Sequence, residues 1–202
     1  MKGLIFIPDI SGFTNFVKKI DNELGWKITR ELLIEIIESN PLYLEISEIE
    51  GDAVLYYKQG KPIEIEALLK GFQEIMKSFN KKYQQFRDTY GIEAELSLKL
   101  IVHYGSLSTF KIKGFTKLYG RTVIEAHRLL KNGSQSNSYI LITDEYFKAL
   151  NKKVDDLKLP QWAHSEHECR LFEDVGLLSF YYFHYLPPLQ SSKAKRFIER
   201  AA

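Results

Sequence analysis

The chain has 202 residues and nearly balanced charge, with 28 Lys and Arg against 26 Asp and Glu. A net charge of +2 excludes a strong overall field that would steer the protein to nucleic acid or to acidic membranes. Hydrophobic residues at 45% and no apolar stretch of membrane-spanning length predict a soluble globular protein without a transmembrane segment. The single cysteine, Cys169, excludes a disulfide framework and predicts a cytoplasmic location.

The first apolar run, residues 4–7, is short and ends at a turn signal, which predicts a buried strand. Asp9 follows at the carboxyl end of this strand, where sheets of α/β type tend to bind ligands. Ser11 is expected to cap the next helix and to leave three amides free for an anion, those of Gly12, Phe13 and Thr14. The stretch suits a metal-bound polyphosphate, but it is also typical of an ordinary capped helix in which Asp9 is a turn residue.

Apolar residues that recur every fourth position then predict an amphipathic helix over 24–37. The helix is expected to end before Pro41, because the residue preceding a proline avoids the helical region. Two strands over 42–49 and 53–57 follow, joined by a turn that contains Asp52. A long helix over 65–86 carries an apolar stripe.

The second half opens with the clearest strand of the chain, over 92–103, where apolar and polar residues alternate. The remaining predicted elements are a strand over 107–112, a loop over 114–120, a helix over 122–131, a strand over 139–142, a short helix from 143, a loop over 152–168, and a hairpin of 169–172 with 178–185.

This order predicts an α+β fold with an antiparallel sheet, a ferredoxin-like βααββαβ core followed by further C-terminal α and β elements. We expect one domain over residues 1–186 and a basic, flexible tail over 187–202.

Asp9 and Asp52 are expected to face each other across adjacent strands in such a layout. Two neighbouring carboxylates repel each other unless cations lie between them, and a pair of Mg²⁺ ions would satisfy both. Two-metal sites of this kind promote in-line displacement at phosphorus.

Four blocks of the chain, in order, resemble the signatures of class III nucleotidyl cyclases, as found in stand-alone, uncharacterised bacterial cyclase-like proteins. The first block is FIPDISGFT at 6–14, and the second is EIEGD at 48–52. The third block comprises HYG at 103–105 and YGRTVIEAHRL at 119–129, and the last is the hairpin GLLSFYYF at 176–183. The resemblance covers about residues 3–185 and implies the cyclase fold.

The resemblance also implies a head-to-tail homodimer that binds a nucleoside triphosphate with two Mg²⁺ or Mn²⁺ ions. By this likeness Asp9, Asp52 and the Ile10 carbonyl would hold the metals, and the amides of residues 12–14 would hold phosphates. The partner protomer would supply the base-reading pair and Arg128, which would steady the charge on the phosphoryl oxygens.

The chain departs from the family pattern in three respects. Ile124 replaces the transition-state asparagine, and residues 171–175 contain no lysine where the family has one. Glu48 and Lys117 stand in place of the family's adenine-reading lysine and aspartate. A glutamate that accepts and a lysine that donates suit guanine, or a pyrimidine such as uracil, although the two side chains would also pair with no base present.

These departures leave three functions open. The first is a nucleotidyl cyclase-like protein that forms a cyclic nucleotide by attack of the 3′-OH on the α-phosphate. The second is a catalytically silent module for nucleotide sensing or protein interaction. An unrelated function on a ferredoxin-like scaffold is a third, since fold does not fix function.

Overall fold

A computed structural model describes residues 1–132, 137–157 and 163–185 of the chain. The strands in this part are β1 (Lys2–Ser11), β2 (Glu45–Glu50), β3 (Ala53–Gln59), β4 (Ser97–Ser106), β5 (Ser108–Ile112), β6 (Phe115–Tyr119), β7 (Tyr139–Thr143), β8 (Ala163–Phe172) and β9 (Gly176–Tyr185). The α-helices are α1 (Phe13–Lys19), α2 (Asn22–Glu38), α3 (Ile65–Tyr90), α4 (Arg121–Leu130) and α5 (Asp144–Leu150), and Val154–Asp156 forms one 3₁₀ turn. Among the described helices, none combines the length and apolar character needed to cross a bilayer.

Seven strands form one sheet in the order β2-β3-β1-β4-β7-β9-β8, and β5 and β6 form a separate two-stranded ribbon. The pairs in the large sheet are antiparallel except for β4 and β7, which run parallel. A parallel pair needs a crossover connection, and the segment between β4 and β7 contains α4. The sheet is therefore mixed, whereas the sequence predicted an antiparallel one. Strands β2 and β8 form its two edges.

The two faces of the sheet are buried in two separate apolar cores, as the alternation along β1 requires. Leu4, Phe6 and Ile10 point into the larger core, which includes the apolar faces of α2 and α3. Ile5 and Ile7 point into the second core, to which α4 contributes Ala126 and Leu129 among others. Because side chains alternate along a strand, Asp9 lies on the same face as Ile5 and Ile7. This is the face that α4 covers.

Most predicted elements are present, but the bounds of several strands are shifted; β1, predicted over 4–7, extends over Lys2–Ser11. The strand predicted over 42–49 is β2 at Glu45–Glu50, and the strand predicted over 92–103 begins only at Ser97. Ser11 does not cap the first helix, because it is the last residue of β1; Gly12 occupies the cap position with a left-handed φ of 85°.

Two segments predicted as loops contain strands. Residues 114–120 include β6, which pairs with β5 through a tight turn in which Lys113 has a positive φ of 52°. Residues 152–168 include the first part of β8, whose polar side chains are tolerated because β8 lies at the edge of the sheet. The tail predicted over 187–202 lies outside the described residues.

Candidate functional site

Asp9 lies near the carboxyl end of β1, between the two neighbours of that strand. It is opposite Ala53 on β3 and opposite Lys99 on β4. Its side chain is only 13% exposed, and Asp9 Oδ2 lies 3.1 Å from Lys99 Nζ. The carboxylate is therefore held in a largely desolvated position, where its interactions with charges are strong.

Asp52 lies in the turn between β2 and β3, beside Asp9. Gly51 takes a left-handed φ of 60° in this turn, and the Ile10 amide donates to the Asp52 carbonyl oxygen over 3.2 Å. This bond fixes the turn against the end of β1, so the structure brings together the two carboxylates that the sequence predicted to face each other.

The environment of Asp52 favours its protonated form. Burial raises its pKa to about 6, and the negative charge of Asp9 and a hydrogen bond to that side chain add to the shift. Two carboxylates in one half-buried place are the arrangement that a bound cation would stabilise.

Lys99 is a site residue that sequence reasoning missed. The alternation along β4 puts Lys99 on the polar side of the strand, but only the pairing of β4 with β1 shows that it faces Asp9. The signal in the sequence was a lysine on the polar side of an alternating strand, near the end that meets the first motif.

These residues line one cavity of about 480 Å³. Its other walls come from the β1–α1 junction, the end of α4 and the start of β7; the lining residues are Asp9, Ile10, Ser11, Gly12, Phe13, Thr14, Asn15, Asp52, Lys99, Leu130, Asn132, Asn137 and Tyr139. Glycine is required at position 12, since a Cβ there would lie 2.3 Å from the Glu95 carbonyl oxygen. At the opposite wall Asn132 Nδ2 donates to the Tyr139 hydroxyl over 2.7 Å.

Glu48 and Lys117 do not line this cavity. Glu48 lies on β2 and Lys117 on β6, and the two side chains form an ion pair with each other within the chain. This pair connects the β5–β6 ribbon to the edge of the large sheet.

Arg128 also lies away from the cavity, on α4. Its Nε donates to Asp174 Oδ2 over 2.6 Å, and its Nη2 lies 2.5 Å from the same oxygen. This contact lowers the pKa of the Asp174 carboxyl. Ile124, one turn earlier on α4, is 52% exposed. The acidic turn of the last hairpin thus binds the arginine of its own chain.

His103, considered from the sequence as a strand-end residue, is buried in a network that joins the sheet to α4. Its Nδ1 lies 2.9 Å from Thr143 Oγ1, and its Nε2 lies 2.9 Å from Glu125 Oε2. The contact with His103 lowers the pKa of Glu125, which also accepts from Arg121 Nε over 2.7 Å. His103 is 1% exposed and both of its ring nitrogens are engaged within the chain, so its contacts connect β4 with β7 and α4.

We expect the raised pKa of Asp52 to make the stability of the metal-free protein depend on pH. A group with a raised folded-state pKa contributes stability below its unfolded value, here 3.8, and loses that contribution as the pH rises through about 6. As the pH rises from about 4 to about 8, the thermal unfolding midpoint of Asp52→Asn should therefore rise relative to that of the wild type. If the two midpoints differ by the same amount at every pH in this range, the pKa of Asp52 is not raised.

Solved structures of cyclase domains share this fold over nearly the whole chain. The adenylyl cyclase CyaB from P. aeruginosa matches with a TM-score of 0.69 at 20% identity, covering 95% of this chain and 96% of that one. The guanylyl cyclase Cya2 matches with a TM-score of 0.68 at 16% identity, over 96% and 98%. The guanylate cyclase domain of RhGC from Catenaria anguillulae, solved in complex with GTP, matches with a TM-score of 0.60 at 14% identity, over 92% and 97%. The predicted class III nucleotidyl cyclase-like fold is confirmed.

The chain is also similar in sequence to an uncharacterised protein. A protein of Mycobacterium tuberculosis (strain ATCC 25618 / H37Rv), "Uncharacterized protein Rv2561/Rv2562", is 25% identical over 157 residues, which are 74% of this chain and 70% of that protein. The sequence model of one protein family matches residues 29–139, more than half of the chain. The chain belongs to that family, described as "Protein of unknown function (DUF2652)".

Proposed function

We propose that the protein binds a nucleoside triphosphate together with two divalent cations in the cavity of Asp9 and Asp52, and cyclises it slowly. The observation that carries the proposal is the contact of these two carboxylates and Lys99 in one cavity of a cyclase-like fold. The paired carboxylates suit metal ions, and the ammonium group of Lys99 beside them suits negative charge. A metal-bound triphosphate would bring both.

The donor set fits Mg²⁺ or Mn²⁺. Two carboxylates and the Ile10 carbonyl offer the oxygen ligands that such ions prefer. Burial and, after it, the charge of Asp9 raise the pKa of Asp52, and a bound cation would offset both effects. When bound, the ions would lower the pKa of the ribose 3′-OH and neutralise charge on the leaving pyrophosphate.

The chain's own groups would orient the triphosphate. The amides of Gly12, Phe13 and Thr14 border the cavity at the β1–α1 junction and would donate to the β- and γ-phosphates. Lys99, released from Asp9 when that carboxylate holds a cation, would donate to a phosphate oxygen as a point charge.

The reaction is attack of the 3′-OH on the α-phosphorus, with pyrophosphate as leaving group and the hydroxyl proton lost to solvent. Groups that line the cavity do not include Arg128, Glu48 or Lys117. We therefore propose that a second copy of the chain, arranged head to tail, supplies these residues, with Arg128 steadying charge on the phosphoryl oxygens.

The Glu48 and Lys117 pair supports guanine, or a pyrimidine such as uracil, over adenine. Glu48 would accept from a ring N–H and an amino group, and Lys117 would donate to a carbonyl oxygen. Both side chains would have to leave the ion pair that they form with each other.

Incubation with each of the four ribonucleoside triphosphates and Mn²⁺, followed by mass spectrometry, tests the proposal. We expect a cyclic product from GTP or UTP in preference to ATP, and triphosphate binding that requires the metal. Metal-dependent binding without product from any base would exclude the enzyme, and absence of binding would exclude the site as well.

A second candidate is a catalytically silent nucleotide-sensing or interaction module. Two observations favour it: Arg128 is bound to Asp174 of its own chain, and Ile124 offers no hydrogen bond at the position of the family asparagine. In this case we expect triphosphate binding with Mn²⁺ to persist without turnover.

A further inference from the structure

We propose that Glu48, Glu50 and His127 form a second metal site, for an ion of the zinc class, that is distinct from the Asp9 and Asp52 site. Each of the three side chains offers one ligand atom, a carboxylate oxygen or an imidazole nitrogen. These three atoms all lie within 4.8 Å of one another.

Two elements bring these ligands together. Glu48 and Glu50 are two residues apart on β2, opposite Leu55 and Ala53 of β3, whose side chains belong to the second core. Their carboxylates therefore point to the face of the sheet that α4 covers, and His127 lies on α4. The His127 Nδ1 atom lies 3.6 Å from Glu50 Oε2.

The ligand types select the ion. Imidazole is a ligand for Zn²⁺, Co²⁺, Ni²⁺ and Cu²⁺, whereas Mg²⁺ prefers a shell of oxygen atoms. Three protein ligands with an open position for water are a common zinc arrangement. The exposed fractions of the side chains, 20% for Glu48, 32% for His127 and 55% for Glu50, leave access for the ion and for a water ligand.

Lys117 competes with the ion for Glu48. The lysine pairs with Glu48 and is itself 39% exposed, so the pair is partly screened by solvent and weak enough for a dication to displace. Zinc binding would thereby take Glu48 out of the proposed base-reading pair and release Lys117.

Isothermal titration with Zn²⁺ in excess Mg²⁺, on the wild type and on the Asp9→Asn/Asp52→Asn double variant, tests the site. We expect one zinc ion per chain in both proteins. His127→Ala should weaken binding by more than about tenfold, since even residues that only orient a ligand contribute 10–100-fold. Co²⁺ should give visible absorption bands that are lost in the same variant.

Two matched variants distinguish this site from nonspecific zinc binding by surface histidines. His167 also lies near one carboxylate, that of Asp144 at 3.3 Å, so His167→Ala should leave the affinity unchanged. Lys117→Met, which removes the competing cation, should tighten binding by up to about fivefold. The proposal is overturned if zinc fails to bind the double variant, if His127→Ala and His167→Ala behave alike, or if Lys117→Met weakens binding.

Discussion

Asp9→Asn is expected to weaken Mn²⁺-dependent triphosphate binding by more than about 100-fold, because even residues that merely orient a metal ligand contribute 10–100-fold to metal affinity. The substitution removes a carboxylate that lines the cavity and, with it, the ion pair to Lys99 at 3.1 Å. We expect Asp52→Asn to have a similar effect, since the proposed cations would bind both carboxylates. Titration calorimetry with a non-hydrolysable triphosphate and Mn²⁺ measures both.

Asp88→Asn is a matched control for these variants. Asp88 lies on the exposed side of α3, where its Oδ1 accepts from Gln84 Nε2 of the same helix over 2.7 Å. The same chemical change there should leave triphosphate affinity unchanged. If Asp9→Asn binds Mn²⁺ and triphosphate as well as Asp88→Asn does, the two-metal site is wrong, whatever the outcome for turnover.

Ile124→Asn is expected to raise the cyclisation rate by about 10²–10³-fold, the range in which one preorganised hydrogen-bond donor contributes to catalysis. Position 124 lies four residues before Arg128, so both side chains project from the same face of α4. In the proposed head-to-tail dimer, an amide there would be able to donate to the reacting groups in the partner's cavity, whereas the isoleucine cannot. Single-turnover formation of the cyclic product measures the change.

Ile124→Ala distinguishes the donor from a mere change of size. Because Ile124 is 52% exposed, neither substitution disturbs a core, and both variants should fold like the wild type. We expect the alanine variant to remain as slow as the wild type. Equal rates for Asn and Ala, at equal triphosphate affinity, would contradict the assignment of position 124 to the transition state and would favour the silent module.

Local patterns were sufficient for the elements that surround the candidate cavity. The short apolar run before Asp9 and the alternation in β4 predict two of the central strands, because burial on alternate sides leaves a period of two in the sequence. The turn at Asp52 follows from its glycine between two strand-like runs. The juxtaposition of Asp9 and Asp52 was therefore predictable from the order of the elements.

These local patterns could not predict which strands pair or which side chains of distant segments meet. Lys99 faces Asp9 only because β4 pairs with β1, and Asp174 meets Arg128 only because the last hairpin packs beside α4. β6 was predicted as a loop between two glycines, and the first part of β8 was hidden by polar residues that an edge strand tolerates. Charge pairs between distant segments leave no periodic trace in the sequence.

The open edges of the large sheet bear on how two copies can associate. β2 forms one edge and carries Glu45, Glu48 and Glu50, so pairing of this edge with the same edge of another copy would bring carboxylates close to one another. β8, at the other edge, carries Glu166, Glu168 and Arg170. Charged side chains on edge strands discourage the strand-to-strand growth that leads to fibrils. Association of two copies by extension of the sheet is therefore disfavoured, whereas the β5–β6 ribbon exposes Phe115 and Tyr119, which offer an apolar surface away from both edges.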